Sequence, residues 1–529
     1  DGVPQTMGVT DGNGQYRFQV PEVVSSVVAT GIGPELILDL PAGHGWLGPY
    51  VYDNSGTLAS LSAGGLPTAM ADGFGLSDAG TGDLSLSAPA TLTVGVEDNG
   101  PALIRITGAN GSSVDRRLST ENGTRKLGFL ASGNMDFSLP PGSYHLMVSR
   151  GVQYEVHEED IELTAGQTAV SVAILGRAYE IPDVVSGDPH THAAPSGDGD
   201  CSMEERLMGL AGSGVQVHFG TDHDHVADYR PLIAPIGLEG VLSSIVADEV
   251  SPVLRGHFNT WPLEQVPEAA NRGAWLWWQG YVDTAEIFAN IRKMGTDTVI
   301  SANHPVGKSG MFGFAGFSAE SGEVSNPSSW SSDLDAMELL NSGEWAEYLP
   351  SYLALINRGL IVTPLGVSDS HGPTSGGMGM NLTFFHTNGA TTPEALVQAV
   401  REQGTVVSKG PYIDARIGTD FAPGKLVSGQ TTVSVKVYAP TWIPVDTLTL
   451  YKNGEVAETF ACEGGWPIVC SQDYTLNPDA DAAYVWIASS TRPMSGPYAG
   501  NLAWAATAAL RLDSAGNGWE SPLPSLFPG

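Results

Sequence analysis

The spacing of apolar positions changes twice along this chain of 529 residues. Up to about residue 180 the spacing is two, the period of a half-buried strand. Tyr16, Phe18 and Val20 alternate after the turn Asp11-Gly12-Asn13-Gly14. Further strands are expected over 91–96, 102–107, 143–149 and 169–175, divided by Gly, Pro and Asn turns. This predicts a β-rich segment over 1–85 and a β-sandwich over 86–180. From 181 to 420 short apolar runs (215–220, 242–247, 298–302, 336–340, 360–366) alternate with helical patterns. Ser202 and Glu205 form a capping box before Met203, Leu207, Leu210 and Ala211, which share one helical face. Asp283 and Glu286 repeat the device before Ile287, Ile291 and Met294, with Gly295 as a stop. Thr392-Pro393-Glu394 opens a third helix ending at Gly404. Strands alternating with helices predict a parallel sheet, open or closed into a barrel. Beyond 421 the period of two returns in Val433, Val435 and Val437. A hairpin is expected over 448–456 through Asn453-Gly454, and a last sandwich over 421–529.

Composition narrows the function classes. Lys+Arg 24 against Asp+Glu 58 gives a net charge of -34. Such a field repels a polyanion, so nucleic acid is not expected as a partner. A small anionic substrate stays open, because bound metal ions invert the local potential. No stretch of about 18 apolar residues occurs, so no transmembrane segment is expected. The chain opens at Asp1 without a signal peptide, which predicts a mature or truncated start. Cys462 and Cys470 bracket a Gly-Gly-Trp-Pro turn and are expected to form a disulfide, hence an extracytoplasmic setting. Cys201 reads as a buried thiol. Sequons at Asn110, Asn122 and Asn381 matter only in a glycosylating host. The segment 513–518 has calcium-loop composition with too few carboxylates, so a turn is expected.

The histidines carry the chemistry. Eight of the 12 lie between His190 and His371. Most occur in acid-rich clusters: Asp188-Pro189-His190-Thr191-His192, Thr221-Asp222-His223-Asp224-His225, Asn303-His304-Pro305 and Ser368-Asp369-Ser370-His371. Imidazole with carboxylate is the ligand set of catalytic divalent metals. His-x-His on an extended strand puts both rings on one side, within reach of one ion. The clusters fall where strands end, as active sites of parallel β/α barrels do. His44, His145, His157, His218 and His386 read as structural. Asp224 and His225 are open between a loop role and one facing substrate.

Six elements in order resemble the polymerase-and-histidinol-phosphatase (PHP) metallohydrolase superfamily. They are Ser186–His192, Gly220–Tyr229, Asp248-Glu249-Val250, Gly256-His257-Phe258-Asn259, Asn303-His304-Pro305 and Ser368–Gly372. Gly-His-Phe-Asn, Ser-Asp-Ser-His and Ser408-Lys409-Gly410-Pro411 are similar to its carbaryl-hydrolase-like branch. Pro189 and Lys409 depart from the usual pattern. The resemblance covers about 175–420 and implies a multidomain chain: a distorted (β/α)7-type PHP barrel flanked by β-sandwich domains. It implies two to three divalent ions of zinc, manganese or iron. His190, His192, Glu249 and Asp369 would hold one, with Glu249 bridging to a second on His257 and His304. A third would take His223, His371 and Asp198, with Asp200 a competing carboxylate.

Ions about 3.5–4 Å apart would share an activated water. His371 or Asp222 would then move a proton to the leaving group, although Asp222 also suits a role behind the ligands. Arg230, Arg255, Lys308 and Lys409 are the nearby cations that could bind a phosphoryl group. The segment Trp275-Leu276-Trp277-Trp278 suits either an aromatic pocket wall or loop packing. The expectation is a metal-dependent hydrolase of small molecules, first of phosphoesters and second of carboxylic esters or carbamates. The alternative from another class is an extracellular matrix protein whose barrel binds metal but catalyses little.

Overall fold

The computed structural model describes residues 90–108, 124–139, 141–279, 282–525 and 527, and the backbone of short strands between Gln15 and Leu84. Phe18, Val20, His44 and the sequons at Asn110 and Asn122 lie outside the described residues. The molecule is multidomain and mostly β, and it divides into two compact units. The first comprises 1–148 with 157–175, the second 149–156 with 176–529.

In the first unit, Asn134–Leu139, Ala90–Val96 and Thr168–Ala173 form one sheet. His157–Leu163, Gly142–Ser149, Ala102–Gly108 and Thr124–Leu130 form another. Alternation does the work here: Leu92 and Val94 are buried while Thr91 and Thr93 are half-buried. With Ile104, Ile106, Leu146 and Val148 they make a single core, as a two-sheet sandwich requires. The strand ends match the expected ones to within two residues.

The second unit carries the histidines. Strands β1 (Val184–Thr191), β2 (Val217–Gly220) and β3 (Ser243–Val246) run parallel. After Ala247 the chain continues as β4 (Asp248–Val250), which pairs antiparallel with β5 (Phe258–Trp261). β5 pairs antiparallel with β6 (Val299–Ala302). β7 (Ala336–Asn341) and β8 (Thr363–Val367) follow in parallel. Beyond β8 the chain returns to β1: Asp369 N–H donates to His190 O (3.0 Å) and His192 N–H to Ser370 O (2.9 Å). Every residue of β1, β2, β4, β5, β6, β7 and β8 is buried. Both faces are therefore covered, which is why β2, β6, β7 and β8 read as largely apolar runs rather than alternations, while β1, β4 and β5 bury polar residues.

Helices α1 (Met203–Gly212) and α3 (Leu349–Asn357) make crossovers between parallel strands, with short turns Arg230–Ile233 and Met311–Ala315 in the others, while α2 (Thr284–Ile291) lies between the antiparallel β5 and β6. The capping box predicted for α1 is present: Ser202 Oγ accepts Glu205 N–H while Glu205 Oε2 accepts Ser202 N–H. Asp283 caps α2 through Glu286 N–H, but α2 ends at Ile291, short of Gly295. α4 (Pro393–Arg401) is capped by Thr392 and stops before Gly404.

The sheet does not end with this region. Asn381–His386 pairs with β1 and with Thr405–Lys409, which pairs in turn with Leu502–Thr507. The boundary expected at 420–421 thus falls inside one continuous sheet that extends to Glu455–Ala461. Val433, Val435 and Val437 are buried on Thr431–Tyr438, and the hairpin Thr447–Lys452 with Glu455–Ala461 turns at Asn453-Gly454. Cys462 and Cys470 form a disulfide. Asp513 accepts N–H groups of Ala515, Gly516, Asn517 and Gly518, so its carboxylate holds a turn rather than a cation. Asn381 is fully buried, with its amide donated to Gly376 O, so its sequon is interior. Among the described residues no helix is long and apolar enough to cross a membrane.

Candidate metal centre

The six histidines and three carboxylates of the expected ligand set come together within the second unit. His190 and His192 close β1, and His223 follows β2. Glu249 lies within β4, His257 precedes β5 and His304 follows β6. Asp369 and His371 follow β8. Glu249 is at the centre, fully buried. Its Oε2 lies 3.3 Å from His190 Nε2, 3.6 Å from His192 Nε2 and 2.8 Å from His223 Nδ1. Its Oε1 faces the other way, 3.2 Å from His257 Nδ1 and 3.6 Å from His304 Nε2. Asp369 Oδ1 sits 3.2 Å from His190 Nε2 and 3.1 Å from His192 Nε2. Asp198 Oδ2 sits 3.3 Å from His223 Nε2 and 3.2 Å from His371 Nε2.

Three groups of ligand atoms are close enough to hold ions: His190, His192 and Asp369; His223, Glu249 and His257; His192, Asp198, His223 and His371. Between the two carboxylates left open, Asp198 makes the approach. Asp200 instead gives its backbone N–H to His371 O. The donor set of imidazole with carboxylate fits a divalent transition ion. So does a pair of orphaned atoms. His190 Nε2 and Glu249 Oε2 are both buried without a hydrogen bond, although 3.3 Å apart. Buried polar atoms left this way call for a further partner.

Electrostatics fit the same picture. Burial pushes the Glu249 carboxyl up, but the charges of His190 and His223 outweigh it and hold it well below the usual range. Burial pulls His223 down, yet Glu249 and Asp198 raise it to about 9. His190 is likewise raised against its burial, by Asp369, Glu249 and Glu338. His192 goes the other way, to about 4, because burial prevails. Carboxylates crowded among imidazoles hold protons there that a cation would displace.

The cluster opens into a cavity of about 330 Å³ lined by His223, Glu249, His257, His304, Ser309, Asp369 and His371. Asp222 does not reach it. Its Oδ1 accepts Ala193 and Ser196 N–H and its Oδ2 accepts Tyr229 O–H, so it braces the loop carrying Asp198. Three of the four expected cations are engaged elsewhere. Arg255 is buried, donating to Val282 O and Ser329 Oγ. Lys409 Nζ donates to Gly343 O, and Arg230 pairs with Asp228. Lys308 is exposed beside Ser309. The tryptophans are not among the lining residues. Trp277 Nε1–H donates to the Asp224 carboxylate (2.9 Å), while Trp278 is exposed. Asp224 Oδ1 also accepts Ser251 N–H, and Ser251 Oγ lies 2.7 Å from His223 Nδ1. His225 donates its N–H to buried Asp248. Asp224 and His225 therefore knit the loop that presents His223.

His218 is buried on Ser244 Oγ, and burial pulls its ring down to about 3, as befits a structural residue. His386 pairs with Asp183, His145 with Asp160 and His157 with Glu159. Cys201 is a buried free thiol.

Several residues with a part in the cluster had no signal as ligands. Asn303 donates to Glu249 Oε1 (2.8 Å), and Ser196 Oγ donates to Asp198. Glu338 Oε1 lies 2.6 Å from His190 Nδ1. Fully buried Arg206 donates to His192 O, Ser370 Oγ, Ser370 O and Gly372 O. A lone Glu within Ala336-Met337-Glu338-Leu339-Leu340, and a lone Arg on the buried face of α1, were the available hints.

No sequence family and no curated protein matches the chain. Among solved structures, the CARDB domain of the PF1109 protein from Pyrococcus furiosus, in complex with di-metal ions, is similar at 14% identity. It covers 20% of this chain and 91% of that one, with a TM-score of 0.15.

Proposed function

We propose that this chain is a metal-dependent hydrolase of the PHP type, acting on phosphoesters of small molecules. The observation that carries the reading is Glu249, whose two oxygens face two separate sets of histidines. A carboxylate so placed is suited to bridge two ions. The strand order supports the barrel. With β3 and β4 counted as one strand across Ala247, seven strands follow one another from β1 to β8 and back to Thr191, which bridges Ser370. In this reading His190, His192, Asp369 and Glu249 would hold one ion, Glu249, His257 and His304 a second, and Asp198, His223 and His371 a third.

When bound, such ions supply Lewis acidity and an acidified water. The chain's own groups do the rest. His371 stands at the mouth, about one-third exposed, with Nε2 toward Asp198 and Nδ1 2.9 Å from Asp369 O, so as a ligand of the third ion it keeps no nitrogen for proton transfer. Asp222, Ser196 and Asn303 keep the ligands in register. The disulfide supports an extracytoplasmic setting.

Hydrolysis of a carboxylic ester or carbamate is the second reading. It is favoured by the cavity lining, whose described residues include no Lys or Arg. A panel of p-nitrophenyl phosphate, a phosphodiester and a carboxylic ester separates the two, read beside metal analysis of the purified protein. Two to three transition ions per chain are expected. His190→Ala with His304→Ala should abolish turnover. Full activity in that double variant, or a metal-free native protein, would sink the reading.

A further inference from the structure

Glu338 is the third residue of β7, a strand whose six residues are all buried. A carboxylate there is costly unless its oxygens are engaged, and both are. Oε1 lies 2.6 Å from His190 Nδ1. Oε2 accepts the backbone N–H of His304 and the Nδ2–H of Asn341, the latter at 2.7 Å. The same Asn341 Nδ2 lies 3.3 Å from Asp369 Oδ2. One side chain on β7 is thus tied to candidate ligands that follow β6, end β1 and, through Asn341, follow β8. Two of these ligands need holding. His304 has φ of 27° and Asp369 of 52°, the left-handed region that residues other than glycine enter only when their surroundings fix them.

We propose that Glu338 is the positioning residue that sets the ligating face of the His190 ring and locks the His304 backbone to it. An ionised carboxylate can only accept. Facing Nδ1, it keeps that nitrogen as the donor, so the nitrogen directed between Glu249 and Asp369 and open to a cation is Nε2, at 3.3 and 3.2 Å. This inference rests on the metal-site reading and adds a specific chemical requirement: the group opposite Nδ1 must be an acceptor.

Glu338→Gln tests it at constant size. If the Gln amide presents its N–H₂ to His190, Nδ1 must accept, and the proton moves to Nε2, where it blocks ligation. If it presents oxygen to His190, its N–H₂ opposes two other donors, His304 N–H and Asn341 Nδ2–H. Neither orientation restores the wild-type set. The experiment titrates zinc into the full chain against a chromophoric chelator, with thermal unfolding of the metal-free protein measured alongside. Zinc affinity should fall about 10- to 100-fold. Asp335→Asn, just before β7, which disturbs the pairing with Arg292 and Arg401 and the contact with Ile300 N–H, should lower stability and leave zinc affinity unchanged. Wild-type affinity in Glu338→Gln, or an equal loss in Asp335→Asn, overturns the proposal. If Glu338→Gln does not fold, Asn341→Ala serves: it should lose zinc affinity in the same direction, and no loss overturns the proposal. A wild-type protein that binds no zinc fails the metal reading itself, and this inference with it.

Discussion

At the scale of single residues, the candidate ligands stood out because their types and spacing are unusual. His-x-His, Asp-His and Asp-x-His have no packing rationale, and all nine named residues converge within a few ångströms. Asp198 was separable from Asp200 only in three dimensions, since both stand in Ser196-Gly197-Asp198-Gly199-Asp200. Glu338 was invisible for the opposite reason: within an apolar strand a single Glu carries no spacing signal. The charge balance at the site makes a testable statement about pH. His223 is raised to about 9 from its ordinary 6.5. Its contribution to stability is fully present below 6.5 and lost as pH rises through about 9. Glu249 is held below its ordinary 4.5, so its contribution is present above 4.5 and lost as pH falls through the depressed value. The metal-free protein, kept in chelator, should therefore unfold at a lower temperature at about pH 9.5 than at about pH 6. Metal affinity should run the opposite way, because ligation needs neutral imidazoles. Calorimetry with and without zinc at both values checks this; a metal-free midpoint that rises with pH contradicts it. Glu249→Ala should remove more metal per chain than His257→Ala, since Glu249 faces both histidine sets. Elemental analysis that gives equal losses would deny Glu249 the bridging place.

At the scale of elements, caps and periodicity were the readable part. The Ser202–Glu205 box, Asp283 and Thr392 all cap helices as expected, because each solves a local problem of unpaired N–H groups. Gly295 did not set the end of α2, where the chain turns earlier, after Ile291. What an element does for the site is less local. α1 presents Leu207, Leu210 and Ala211 to the core, but Arg206 is buried beside them and reaches two ligand-bearing loops. Its guanidinium is the cross-tie between the His192 carbonyl and the Ser370–Gly372 segment. The expectation from sequence that cations near the clusters bind substrate missed this use. Arg206→Met keeps volume but removes these charged donors: Ser370 O keeps His192 N–H and Gly372 O keeps Ser370 Oγ–H, while His192 O is left with only the Cys201 thiol. Hydrogen bonds from a charged donor are worth about 1.5–3 kcal/mol each, so a loss on the order of 3 kcal/mol in urea unfolding is expected, with weaker metal binding. A variant as stable as wild type would show that the tie is dispensable. In the same way the Trp275–Trp278 segment acts as a brace: Trp277 holds Asp224, and Asp224 holds the Ser251 that meets His223.

At the scale of the whole molecule, the sequence pattern separated a helical-and-strand region from a later β region, and the structure joins them. Pattern alone cannot show this, because Thr405–Lys409 and Leu502–Thr507 are each ordinary apolar strands until they pair. The consequence is a shared core. Trp504 is buried and stacks on Trp345 at 4.7 Å, Ala509 N–H donates to Tyr352 O–H oxygen, and Val485 and Ile487 pack with Met337, Leu339 and Val407. Each of these large apolar side chains contributes about 1.5–3 kcal/mol by its burial, against a net domain stability of about 5–15 kcal/mol. Removing a handful of them leaves no margin. Truncation after residue 420 should therefore give a protein that is insoluble or lacks cooperative unfolding, and that holds no stoichiometric metal, although every candidate ligand is still present. Single deletions of exposed groups in the later region, such as Val456→Ser, should leave metal content and unfolding unchanged. If instead the truncated chain is soluble, unfolds in one cooperative transition and binds metal as the full chain does, the later β region is a separable module. The sheet that runs from β1 to Glu455–Ala461 would then be continuous in hydrogen bonding and divisible in energy.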